Sequence, residues 1–176
     1  MSYTSDKLKY TNEKLKLTQS ETILEHLVNE KEIAAAANDF QNAAEIADKI
    51  SNLNKELDEL RLSVQWWDTI PSDIQSELDS QNYVRAVLLS QNQECEQEKI
   101  RRFQEYAIEQ YAFDFRNAQG LAMLIKDWAL SKKEVIKIIK AELPSYSGYI
   151  GPQFDINATN PTTMQEWVDN FVKQQL

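Results

Sequence analysis

Glu105 and Glu109 stand one helical turn apart, with Asp114 shortly after, so this is one place where paired carboxylates could do acid–base work. The signal is weak, because the chain carries 28 Asp and Glu residues and such spacings arise by chance. A solvated helix face is the simpler account. Metal and nucleophile chemistry has less to work with. The sequence holds one histidine, His26, and one cysteine, Cys95, so the common zinc ligand sets cannot be assembled within one chain. A di-iron carboxylate bundle needs two Glu-x-x-His pairs, and Ile23 occupies that offset before His26. No Gly-rich phosphate loop exists. The expectation is a protein with no cofactor, no metal and no catalytic residues, which acts by binding.

The elements that would position any such surface are helical. The glycines are Gly120, Gly148 and Gly151, and the prolines Pro71, Pro144, Pro152 and Pro161, so residues 1–119 contain one proline and no glycine. Tight β-turns lack their usual residues there, and an all-α fold follows. Thr18-x-x-Glu21 has the form of a capping box, and Ile23, Leu24, Leu27, Val28 and Ala34 to Ala37 then read as the apolar stripe of a first helix. Asn38-Asp39 interrupts it.

A long second helix starts near Phe40. Its Ile46, Ile50, Leu53, Leu57, Leu60 and Val64 alternate steps of four and three, the a/d seam of a coiled coil or a packed hairpin. Trp66-Trp67 precede its end at Pro71. Further helices are expected at 72–79, from Asn82 to about Tyr111, from Asp114 through Trp128, from the Ser131-x-x-Glu134 cap to Leu143, and from about Thr163 onward. The predicted organisation is a polar segment over 1–17, an antiparallel hairpin over 18–70, and a helical domain over 71–176 with a loop at 144–162, the long second helix packing on the C-terminal bundle.

A first helix beginning near Ser20 would cover the second only to about Leu57. Leu60, Val64, Trp66 and Trp67 would then extend past it. The C-terminal helices or a second copy, as in a homodimer, would have to cover that edge.

Net charge is −9, and residues 21–98 hold 5 basic and 17 acidic residues, a balance of −12. Such a surface opposes binding to phosphate backbones, so nucleic acid is disfavoured as a partner. Residues 99–140 are the local exception, with 9 basic against 5 acidic, and a helix-turn-helix at 115–143 is the reading that excess would favour. One unpaired cysteine and no signal-peptide pattern lead to the expectation of a reducing, cytoplasmic setting. No apolar run is long enough to span a bilayer, so no membrane partner is expected.

One segment carries a more specific pattern. Asp39-Phe40, the Ala43-Ala44 pair, Ile46, Asp48, Ile50 and Leu53, preceded by Leu27 and Ala34-Ala35, resemble the UVR motif over about residues 21–55. That motif is the short antiparallel hairpin shared by the excision-repair proteins UvrB and UvrC and by adaptors of Clp-type chaperones. The chain has Gln41 where the family usually has Glu, and Ala47 where it usually has Arg. The resemblance implies a protein-docking hairpin with no chemistry of its own, and a Clp-type chaperone as one kind of partner. A generic hairpin turn is the competing account, because the same Asp/Asn–aromatic–x–x–Ala signal recurs at Asn82–Ala86 and Asp114–Ala118.

The expected function is therefore an adaptor or regulator binding through Leu27, Phe40, Ile46, Ile50, Leu53, Leu57, Leu60, Trp66 and Trp67. The alternative is an acidic inhibitor or immunity-type protein that covers a basic partner site.

Overall fold

The computed structural model describes residues 2–146 and 163–175, and these contain eight α-helices and no β-strand. The helices are α1 (Tyr3–Ala36), α2 (Phe40–Asp68), α3 (Ser72–Asp79), α4 (Tyr83–Asn92), α5 (Gln97–Glu109), α6 (Ala118–Asp127), α7 (Lys132–Glu142) and α8 (Met164–Gln175). The fold is all-α. Most of the loop expected at 144–162 lies outside the described residues; Leu143–Tyr146 form a 3-10 turn. Residues Thr4–Pro71 make one compact unit, and Met1–Tyr3 with Ser72–Leu176 make the other.

The helix α1, nearly all of which lies in the first unit, begins at Tyr3, not near Ser20. Thr18-x-x-Glu21 therefore lies inside a helix and caps nothing. The Thr18 hydroxyl instead donates to the Lys14 carbonyl at 3.2 Å, and Thr11 and Thr22 donate one turn back in the same way. Such back-bonding satisfies a hydroxyl without ending a helix. The stripe read from Ile23 is also only half right. Leu24, Leu27 and Ala34 are buried or half-buried, while Ile23, Val28 and Ala35 to Ala37 are exposed.

The inward residues of α1 are Tyr10, Leu17 and Leu24 in one row, and Asp6, Glu13, Ser20, Leu27 and Ala34 in the next, each row repeating every seven residues. Three members of the second row are polar. That is why the heptad does not show in a hydropathy reading.

The link from α1 to α2 is a two-step turn. Asn38 takes φ 59, its N–H donates to the Ala35 carbonyl, and the Asp39 N–H donates to the Ala34 carbonyl at 2.9 Å. Asp39 then caps α2, its side chain accepting from the Asn42 N–H at 3.2 Å.

The second unit repeats this device. Gln81, Glu94 and Ala129 take positive φ at helix ends, each with the same pair of bonds to the preceding turn. The break at Glu94 divides the segment that the sequence reads as one helix from Asn82 to Tyr111 into α4 and α5. The expected start of a helix at Asp114 is also displaced. Gln110–Asp114 form a π-turn closed by the Phe115 N–H on the Gln110 carbonyl at 2.9 Å, and Asn117 caps α6 by accepting from the Gly120 N–H at 2.8 Å.

The Ser131–Glu134 capping box on α7 is present in both directions. Thr163 and Glu166 make the same reciprocal pair at the head of α8. The interior is built around Ile108, Phe113, Leu121, Ile125, Val135, Ile139, Trp167, Val168 and Phe171. A second buried group holds the rings of Tyr3, Tyr83 and Tyr106, with centroids 5.5–5.7 Å apart.

Candidate interaction surface

The seam of α2 faces inward along its whole length. Ile46, Leu57 and Val64 are buried, Leu57 completely, and Ile50, Leu53 and Leu60 are half-buried. These side chains are buried or half-buried within a single chain, so they contribute to holding the hairpin together. On α1, Leu27 is half-buried for the same reason.

The reach of α1 removes the overhang expected beyond Leu57. Arg61 pairs with Glu21 at 3.0 Å, the Ser63 hydroxyl donates to Glu13 at 2.6 Å, and the Tyr10 hydroxyl donates to Asp68 at 2.6 Å. These pairs run antiparallel and carry α1 past Leu60 and Val64 to the far end of α2. The Trp67 indole stacks on the Tyr10 ring, and Trp66 meets Trp67 edge-on at 5.1 Å. Both tryptophans are half-buried, as boundary residues are.

Lys14 completes this end, 2.8 Å from both Asp68 and the Tyr10 oxygen. The Asp68 hydrogen bond, then the one to Tyr10, raises the Lys14 ammonium. The same Lys14 contact lowers the Asp68 carboxyl. Both groups are exposed, so the cluster orients side chains more than it stabilises the fold.

Of the nine expected binding residues, only Phe40 is exposed. The residue is 69% accessible at the first position of α2, beside the turn. Ile33, which is not among the expected binding residues, is 62% accessible three residues before the end of α1. Exposed carboxylates flank this end of the hairpin: Glu25, Glu30, Glu32, Asp39, Glu45 and Asp48, against two exposed lysines, Lys31 and Lys49. His26 is exposed and sits 3.5 Å from Glu30. The tip is therefore apolar at its apex and acidic on its flanks. The signal that marks it in the sequence is an Ile and a Phe standing off an otherwise regular seam.

The paired carboxylates of α5 do not form a joint site. Glu105 is taken up by Arg102, whereas Glu109 is buried. Asp114 sits in the π-turn, where desolvation pushes its carboxyl up against the opposing pull of Arg116. Among the described residues, no group of three His, Cys, Asp or Glu side chains could hold a metal ion. No helix among them is long and apolar enough to cross a membrane. The basic excess of 99–140 is spread along α7, where Lys132, Lys133, Lys137 and Lys140 are all exposed.

No protein-family model, curated protein or solved structure matches the chain.

Proposed function

We infer that the protein is a non-enzymatic adaptor or regulator that docks on another protein through the tip of the α1–α2 hairpin. The observation that carries this reading is the exposed Phe40 ring at the turn of a hairpin whose own seam is satisfied internally. An aromatic side chain of this size left in water at the apex of a rigid pair of helices is suited to be an anchor for a partner pocket. The flanking carboxylates fit a pocket with a basic rim. The resemblance of residues 21–55 to the UVR hairpin favours the same surface, and a Clp-type chaperone is the partner class it brings.

An acidic inhibitor is the second reading, favoured by the excess of exposed carboxylates over lysines at the tip. A pull-down from native lysate separates the two, comparing wild type with Phe40→Ala, Ile33→Ala, and Leu62→Ala as an exposed control elsewhere on α2. The adaptor reading expects one partner lost with Phe40→Ala or Ile33→Ala and retained with Leu62→Ala. Association that tolerates Phe40→Ala and slows steeply with salt would assign the surface to an inhibitor. No partner lost with either tip substitution and no salt-sensitive complex would remove both readings.

A further inference from the structure

Gln104, on α5, is 8% accessible, and among the described residues no donor or acceptor reaches its side-chain amide. An amide with no partner in the protein keeps its donor and acceptor for what occupies the space beside it. Native folds pair nearly all such groups. Gln104 instead lines a cleft of about 570 Å³ between the α4–α5 turn and the end of α6. That volume is within the range of small-molecule sites.

The walls define what the cleft would accept. Ile100 is buried and the Trp128 indole half-buried, so part of the lining is apolar and aromatic. Gln91 and Gln97 add two more amides at the exposed side. The one cationic group, Arg101, is held 3.3 Å from Glu134, which neutralises it. Glu94 adds a carboxylate to the lining, and this disfavours an anion further. The occupant is therefore uncharged, has a flat face for the indole, and carries a hydrogen-bond donor beside an acceptor to match the Gln104 Oε1 and Nε2.

We propose that this cleft binds a nucleoside, its base read by the Gln104 amide and packed against Trp128. An adjacent donor and acceptor on a planar ring is the edge that Gln side chains pair with two-fold, and bases stack readily on indole rings. The acidic chain argues against the polyphosphate backbone of a nucleic-acid strand. The proposal stands independently of the hairpin reading, since every residue that lines the cleft lies between positions 91 and 128.

The test is calorimetric titration and thermal melting of the full chain with adenosine, guanosine, cytidine and uridine in turn. One of the four is expected to bind saturably and raise the melting temperature. Gln104→Leu should weaken that binding at least about tenfold. Gln104→Glu, which keeps the size and alters the donor pattern, should weaken binding without loss of fold. Trp128→Phe should weaken it through stacking. Failure of all four nucleosides to bind at concentrations up to about 1 mM overturns the proposal. So does a Gln104→Leu chain that binds as wild type does.

Discussion

The Tyr10 ring lies stacked on the Trp67 indole, centroids 5.4 Å apart, and its hydroxyl donates to the neighbouring Asp68. One side chain of α1 thus holds both an apolar and a polar group at the end of α2. A double-mutant cycle of Tyr10→Ala and Trp67→Ala should show a coupling of about 0.5–1.5 kcal/mol, read from denaturant unfolding. Additive effects would mean that the stack contributes nothing beyond area.

Leu57 carries the middle of the seam and is completely buried. Leu57→Ala should destabilise by about 2–5 kcal/mol. Leu62→Ala, on an exposed face of the same helix, should stay within about 0.5 kcal/mol of wild type. Equal effects at the two positions in chemical denaturation would contradict the inward orientation of the seam.

Gly120 is required by a close approach. A Cβ built there would stand 2.6 Å from Cε1 of Tyr111 and 2.9 Å from the Asn117 amide nitrogen. Gly120→Ala should cost about 1–3 kcal/mol by overpacking. Combining it with Tyr111→Leu should cost less than the sum of the two single changes. Thermal melts of the three variants decide the point.

Two carboxylates should give pH effects of opposite sign. The Ser131 hydroxyl and backbone N–H, aided by Arg101, hold Glu134 below its ordinary value of 4.5. Its stabilising contribution is present above that value and is lost as pH falls through the lowered one. Glu134→Gln should therefore melt below wild type at pH 7 and converge with it in acid. Asp114 is raised above its ordinary 3.8 by desolvation, so its ionised form costs stability above the raised value. Asp114→Asn should melt higher at pH 7, and that gain should vanish as pH falls below 3.8.

Ala129 occupies a left-handed conformation at φ 51, where a Cβ is crowded against the backbone. Ala129→Gly should raise stability by about 1 kcal/mol, the reverse of what glycine does inside a helix. A lower melting temperature would show that the Ala129 side chain contributes more than its strain costs.

The second helix was legible because its apolar residues keep step with the period of the fold. Phe40, the Trp66-Trp67 end and the Ser131–Glu134 cap were legible as well, each through a side chain with a marked local preference. The first half of α1 was hidden, because Asp6, Glu13 and Ser20 face inward and break the apolar pattern. Thr18-x-x-Glu21 misled, since a threonine can bond one turn back as readily as it can cap. The break between α4 and α5 was hidden for another reason. A helix that ends on Glu94 in a left-handed conformation leaves no glycine to mark it. The Gln104 cleft has no linear signature at all, because α5 reaches Trp128 only through the fold.

The polar character of the inward face of α1 also bears on how the chain is made. As a nascent chain leaves the ribosome, this 34-residue helix emerges before α2 can pair with it. A strongly amphipathic segment of that length would present a continuous sticky stripe to chaperones and to neighbouring nascent chains. This one presents short apolar patches separated by Asp6, Glu13 and Ser20. Glu13 and Glu21 on it reach Ser63 and Arg61 only once α2 pairs with it.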